Sequence, residues 1–484
     1  MPAFAQSGSG TSGSGSASGS GSSASGSGSA ASTSEKAPAK TSDGGAMTRG
    51  SKLKPSPGGI ARFKGLLGYA LVLVICFALS NNRSKINWRT VGWGLALQAA
   101  FALIVLNPVV GQFFFDNVDA GVRKLLGFAD RGIDFLFQST TPHKMTFVND
   151  AGKMVTDTFI GRMSPALKSV AFSVLPTVIF FSSIITLLYH LGVMQFVVKG
   201  MARAFAFLTR TSGAESLSCT ANIFVGQTEA PLLIKPFIHD MTKSELMTVM
   251  TGGFATVAGG ILAIYVGMLR SIKGIAGHLV TASLMAAPAS LAVSKLLYPE
   301  TEQPTTAGTV AVSVERPDSN AIEAAARGAS EGMTLFLNIA AMLIAFVGIM
   351  AMINAFLGLF GLSVELLLGW ILSPLAWAMG TPWEDATKLG QLLGKKLVLT
   401  ELLAYLDLKS MVSGATAVLS ARTAVIASYA LCGFANVASI GIQIGGIGAM
   451  APSRRGDLAR LGIRAMFAGA LVSCLSGAVA GMLV

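Results

Sequence analysis

Two glutamates stand where carboxylates are costly. Glu229 lies in Gly226-Gln227-Thr228-Glu229-Ala230-Pro231 and Glu401 in LVLTELLAYL, and apolar residues flank both stretches. An ionised carboxylate at the centre of a bilayer costs roughly 2.5–3.5 kcal/mol on insertion scales, so each needs a partner or a wet cavity. Neither is isolated in the chain. Thr228-Glu229 returns 172 residues later as Thr400-Glu401, and GFATVA at 253–258 returns 180 residues later as GFANVA at 433–438. In the second copy Asn436 and Ser439 lie one helical turn apart and can present two hydrogen-bonding groups to one ligand, although such residues also serve as helix–helix glue in membranes. In the first, Gly226 permits tight backbone geometry and Pro231 disfavours helix before it, so a helix entering near Ser216 is expected to break between them. The chemistry on offer is hydrogen-bond recognition of a small polar solute. A membrane-embedded enzyme using Glu229 and Glu401 as acid and base is the competing reading. The missing HExxH and the internal duplication weigh against it.

The elements that must position these residues are membrane spans. At 484 residues the chain is 52% hydrophobic, only 12% charged, and contains 55 glycines. That is too apolar for an ordinary soluble protein and fits an all-α polytopic membrane protein. The net charge of +12 is scattered over short loops, which argues for positive-inside topology and against a nucleic-acid stripe. Cys76, Cys219, Cys432 and Cys474 show no CxxC spacing, so neither a disulfide framework nor a zinc site is indicated. No catalytic group, metal cofactor or nucleic-acid partner is expected. Gly446-x-Gly448-x-x-Ala451 imitates a dinucleotide fingerprint but follows no strand.

Residues 1–57 are Ser/Gly-rich and then Lys/Pro-rich, a composition that cannot bury a core and is expected to be disordered. They show no basic stretch followed by an apolar one, as a secretory signal would. Apolar segments of spanning length follow near 64–80, 91–109, 165–188, 244–271, 276–297, 333–360, 420–448 and 460–484, eight crossings at about 20 residues each. The segment 111–140 reads as an interfacial amphipathic helix. Two interrupted regions, 214–239 and 384–408, read as re-entrant hairpins, tolerated only where buried in protein or facing a water-filled cavity. The expected organisation is the tail, scaffold spans with an interfacial helix over 58–212, and a first hairpin and repeat half over 213–300. A loop, scaffold span and interfacial helix over 301–383 precede a second hairpin and repeat half over 384–484. Basic loops at Arg83, Lys85 and Arg89, at Lys199, Arg203 and Arg210, and at Arg454, Arg455 and Arg460 set those faces in the cytoplasm and both termini outside. Arg270 and Lys273 oppose the trend but are fewer. An odd number of crossings separates the two GFAxVA copies, so they run antiparallel, an inverted repeat of the kind transporters use. Lys395 and Lys396, just before Glu401, are expected to anchor a helix end at the interface.

The stretches GQTEAPL, G-K-K-x3-T-E-L-L-A-Y and GFANxxSIGI, in that order, resemble the concentrative nucleoside transporters over roughly residues 60–484. The resemblance implies eight spans with two re-entrant hairpins, a homotrimer, and a transport domain moving against a fixed scaffold in a bacterial inner membrane. It implies that Gln227, Thr228 and Glu229 meet a nucleobase with Ile261 as apolar neighbour, and that Glu401, Asn436 and Ser439 meet ribose hydroxyls with Phe434 nearby. It places a sodium ion among Asn222, Val225, Thr256 and Val257, with a proton as the alternative coupling ion. Vicinal hydroxyls suit a carboxylate and an amide, and sodium suits hard oxygen ligands. One departure stands out: the family usually reads Asn-Glu-Phe-Val-Ala where this chain has Thr400-Glu401-Leu402-Leu403-Ala404. The shorter Thr400 lacks an amide, which bears on sugar or base preference.

Overall fold

A computed structural model of the chain describes residues 60–483 apart from 106–107, 149–152, 161–162, 164–166, 168, 309–317 and 414–417. The tail expected over 1–57 lies outside the described residues. The chain opens with α1 (Ile60–Ala78), α2 (Trp88–Val105) and the amphipathic α3 (Pro108–Phe137) in the place expected for an interfacial helix. One small departure from an all-helical chain follows. Strands β1 (His143–Val148) and β2 (Met154–Phe159) pair antiparallel, with the hydroxyls of Thr146 and Thr156 2.7 Å apart across the ladder.

Two series of elements then repeat one order. The first is a π-helical turn (Val170–Val174) leading into α4 (Thr177–His190), α5 (Val193–Thr209), a hairpin of α6 (Gly213–Ala221) and a 3-10 leg (Ala230–Asp240), the broken pair α7 (Lys243–Ala255) and α8 (Gly259–Met268), and α9 (Ile275–Leu297). The second is α10 (Ala321–Gly358), α11 (Val364–Ala378), a hairpin of α12 (Trp383–Val398) and α13 (Glu401–Val412), the broken pair α14 (Ala421–Ala430) and α15 (Val437–Met450), and α16 (Arg455–Leu483). Span, short helix, hairpin, interrupted helix and closing helix thus occur twice. Among the described residues six helical stretches are long and apolar enough to cross a membrane, and α1, α11 and α15 are shorter apolar helices.

Several boundaries differ from expectation for local physical reasons. The first hairpin breaks at Asn222, four residues before Gly226, because Asn222 caps α6; Pro231 does not break a helix but starts the second leg at its first turn, where a missing N–H costs nothing. Lys199 and Arg203 belong to α5 and not to a loop: its buried residues Met194, Val198, Ala202, Phe205 and Thr209 form one face, leaving the basic residues on the other. Helix α10 starts at Ala321, well before the expected 333, because Asn320 caps it and Arg327 reaches back to Asp318 in a bidentate pair of 2.7 and 2.8 Å. Its buried residues include Ala324, Gly328 and Gly332. This small-residue stripe lets α4 approach closely, and Ser183 Oγ donates to Ala325 O at 2.8 Å.

The two interrupted helices cross at their breaks, and a glycine in the second lets them meet. Gly433 has φ +118°, and a Cβ there would lie 2.7 Å from Phe254 O and 2.8 Å from Ala255 O. Gly469 on α16 similarly leaves room for Phe254, whose Cβ a Cβ at position 469 would overlap. Carbonyls near the breaks are answered by long side chains. Met250 O accepts from Gln443 Nε2 at 3.1 Å. Ala430 O and Cys432 O, 180 residues after Met250 and Gly252, accept from Lys396 Nζ at 3.1 and 3.3 Å, and Lys396 also donates to Ser473 Oγ at 2.9 Å. The interfacial anchoring expected of Lys396 is therefore wrong: it is 1% exposed, because freed carbonyls attract an ammonium more strongly than they leave it to solvent. Lys395, on another face, pairs with Asp407 at 2.6 Å.

Gly433→Ala is expected to cost at least about 1–2 kcal/mol from its left-handed backbone alone, seen as a lowered midpoint in a thermal melt of the detergent-purified protein. Lys396→Met leaves Ala430 O without its side-chain donor and Cys432 O with Ser473 Oγ alone, and is expected to lose about 1–3 kcal/mol in the same melt.

Candidate functional site

The first hairpin tip is a turn held by its own main chain. Gly226 O accepts from Glu229 N at 3.2 Å and Ala230 N at 3.0 Å, and Phe224 O accepts from Gly259 N, the first residue of α8, at 3.0 Å. That last bond sets the turn carrying Asn222 and Val225 beside the break carrying Thr256 and Val257. Asn222 Nδ2 donates to Ser218 O at 3.1 Å and Thr256 Oγ1 to Gly252 O at 2.8 Å, so Asn222 Oδ1 and the Thr256 lone pairs remain as oxygen donors to a ligand. All four residues are buried. Among the described residues no group of three or more His, Cys, Asp or Glu that could hold a metal occurs, and the neutral oxygens here suit a hard monovalent cation.

Glu229 folds over Gly226: a Cβ on that glycine would lie 1.9 Å from the carboxylate. One of its oxygens, Oε2, is buried without a hydrogen-bond partner. Gln227 is 8% exposed, and its Oε1 accepts from Gln443 Nε2 at 3.0 Å. Thr228 rests on Gly446 of α15, where a Cβ would lie 2.5 Å from the threonine methyl. Ile261, nearly buried, lies on α8.

The second tip is sharper. Thr400 adopts an extended backbone, caps α13 and accepts from Leu403 N at 3.4 Å, which puts Glu401 in the first helical turn, where an anion is favoured. Glu401 Oε1 accepts from Tyr265 OH at 2.7 Å, and Oε2 accepts from Asn436 Nδ2 at 2.9 Å. Asn436 in turn caps α15, its Oδ1 accepting from Ser439 N at 2.9 Å. Because a backbone N–H can only donate, the orientation of that amide is determined. Ser439 is buried one turn into α15, and Phe434 is half-buried in the break before it.

The expected residues therefore fall into two clusters. Glu401, Asn436 and Ser439 are linked directly; Gln227, Thr228 and Glu229 share one turn against α15. No hydrogen bond or ion pair among the described residues joins Glu229 to Glu401. Two participants escaped the sequence reading, Tyr265 and Gln443. Both stand four residues beyond positions already singled out, Ile261 and Ser439, so the helical period places each on a face already under consideration. Tyr265 also packs at a tilt against Tyr405 with ring centroids 4.5 Å apart, which steadies the phenol that meets Glu401.

Three family models match the chain in order: Na+ dependent nucleoside transporter N-terminus over residues 67–140, Nucleoside recognition over 171–272, and Na+ dependent nucleoside transporter C-terminus over 278–481. An uncharacterized transporter of Bacillus subtilis, YutK, is 43% identical over 428 residues, covering 87% of this chain and 99% of that protein. Mouse solute carrier family 28 member 3 is 38% identical over 88% of this chain, which spans 59% of its length. Human sodium/nucleoside cotransporter 1 is 39% identical over 86% of this chain, which spans 63% of it. Among solved structures, CNTnw in an inward-facing substrate-bound state is similar with a TM-score of 0.77 and 39% identity, covering 88% of this chain and all of that one. A CNTnw variant in an outward-facing state gives a TM-score of 0.78 at 38% identity, over 88% of this chain and 98% of that one. With the duplicated hairpins and breaks already described, these likenesses place the chain, a membrane transporter, in the concentrative nucleoside transporter family.

Proposed function

We propose that this chain is a cation-coupled nucleoside symporter of a bacterial inner membrane, with both termini outside, holding its substrate between the two hairpin tips. The observation that carries this reading is the buried chain Tyr265–Glu401–Asn436, in which one carboxylate joins the second hairpin tip, the second break and a helix of the first half. Vicinal ribose hydroxyls can donate to that carboxylate, with Asn436 and Ser439 beside it and Phe434 against the sugar. Gln227, Thr228 and Glu229 then meet the base edge, with Ile261 against its face.

Sodium is the coupling ion in this reading, taken by side-chain oxygens of Asn222 and Thr256 and main-chain oxygens of Val225 and Val257. The Phe224–Gly259 bond supports it, since it holds the two stretches together, and so does the description of the matching family models. An ion bound there orders the first tip and raises affinity for the base; by linkage the nucleoside raises affinity for the ion equally. A proton is the second reading, favoured by the unpartnered buried oxygen of Glu229. In either case the hairpins and broken helices move as one transport domain against a scaffold that includes α3, α4 and α10, in an elevator-type cycle. Homotrimeric assembly goes with this reading.

Glu401→Gln keeps the shape of the site but removes the charge, and uridine uptake into proteoliposomes is expected to fall about tenfold to a hundredfold; uptake equal to the parent would sink the ribose assignment. Replacing external sodium with choline at constant pH is expected to abolish concentrative uptake. Uptake that persists without sodium and follows an imposed pH gradient would instead establish the proton.

A further inference from the structure

Gln443 lies on α15 one turn beyond Ser439 and is fully buried. Its Nε2 donates to Met250 O of α7 at 3.1 Å and to Gln227 Oε1 of the first hairpin tip at 3.0 Å. A main-chain carbonyl has no hydrogen to give, so the Gln443 atom facing Met250 is the amide nitrogen. The second hydrogen of that nitrogen faces Gln227, and the Gln227 atom it meets is therefore the carbonyl oxygen. This order of constraint leaves Gln227 with its oxygen held inward and its NH2 free; among the described residues that nitrogen has no hydrogen-bond partner. A glutamine without such a tether can rotate its terminal amide and offer either end.

The fold makes room for the tether. A Cβ on Gly253 would lie 2.8 Å from Gln443 Nε2 and 2.9 Å from Gln227 Cβ. The first residue of the GFATVA stretch is thus a gap through which the second half reaches the first hairpin tip.

We propose that Gln443 is a specificity-determining positioning residue: by holding the oxygen of Gln227 it commits that one side chain to donating, so the carrier selects nucleosides whose base presents a carbonyl oxygen or an unprotonated ring nitrogen to Gln227. This deepens the proposed function and rests on the placement of Gln227 against the nucleobase. Polar sites discriminate strongly because a partner lacking the matching group leaves buried donors unpaired. Without Gln443, Gln227 turns freely, and discrimination falls while Glu401 and Asn436 still hold the sugar.

The test uses the full-length protein in proteoliposomes, with labelled uridine uptake competed by unlabelled uridine, by phenyl riboside, whose aromatic ring has no acceptor, and by methyl riboside, which has no base. Two variants remove the tether differently: Gln443→Met, similar in length, and Gly253→Ala, which displaces the bridge but keeps Gln443. Both are checked for monodisperse elution first. The preference for uridine over phenyl riboside is expected to fall about tenfold in both, with competition by methyl riboside unchanged. Gln227→Ala is expected to show the same loss, and the Gln227→Ala/Gln443→Met pair no more than either alone. Parental selectivity in both tether variants beside a lost one in Gln227→Ala would overturn the proposal alone, as would losses that multiply in the double variant. Parental selectivity in Gln227→Ala would overturn the nucleobase placement and the proposal together.

Discussion

Main chain interrupted inside a bilayer has to find its hydrogen bonds within the protein, because hydrocarbon supplies none. This chain interrupts two long helices and two hairpins, and the placement of its buried polar side chains follows from that debt. Asn436, Thr400, Ser212, Thr242 and Ser420 cap helices that begin within the protein. Ala430 O and Cys432 O, at and beyond the end of α14, are met by Lys396, while Met250 O, still inside α7, accepts from Gln443. Gly259 N, at the start of α8, is met by the hairpin carbonyl of Phe224. The caps serve their own helices, but Gln443, Lys396 and Phe224 reach across, so satisfying the breaks also binds hairpins to breaks and one half to the other.

The duplicated device has diverged in the partners it takes. Corresponding carbonyls, Met250 and Ala430, receive a neutral amide in one half and an ammonium in the other. At corresponding break positions Thr256 turns its hydroxyl to its own helix, whereas Asn436 caps the next helix and reaches Glu401. The second break is thereby knitted into a fixed network of side chains. The first keeps neutral oxygens with lone pairs to spare, at Asn222 and Thr256.

Much of the architecture was legible before any coordinates. Segments long and apolar enough to span a bilayer are dictated by hydrocarbon thickness, and α1, α2, α9 and α16 fall where that rule puts them. The amphipathic α3 announces itself by interleaved charge. Composition misleads where local geometry competes with it. In sequence Pro231 has the signature of a helix breaker, yet the capping of α6 by Asn222 ends the helix before it. Helix α5 resembles a basic loop in sequence because its apolar face is only one stripe wide.

The sequence alone determined that the chain is membrane-embedded, that it is duplicated, and which polar residues lie at costly depth: hydropathy, repeat spacing and the energetic penalty on buried charge are all one-dimensional signals. Who answers whom was decided only by tertiary structure. Tyr265 lies 136 residues from Glu401, and Gln443 lies 216 residues from Gln227, and no local pattern encodes such pairings. Lys396 shows the limit most plainly, since a lysine near a helix end reads as an interfacial anchor until the carbonyls of a distant break are brought around it. Partners so far apart in the chain are chosen by packing, because a buried donor takes whichever acceptor the fold sets within its reach.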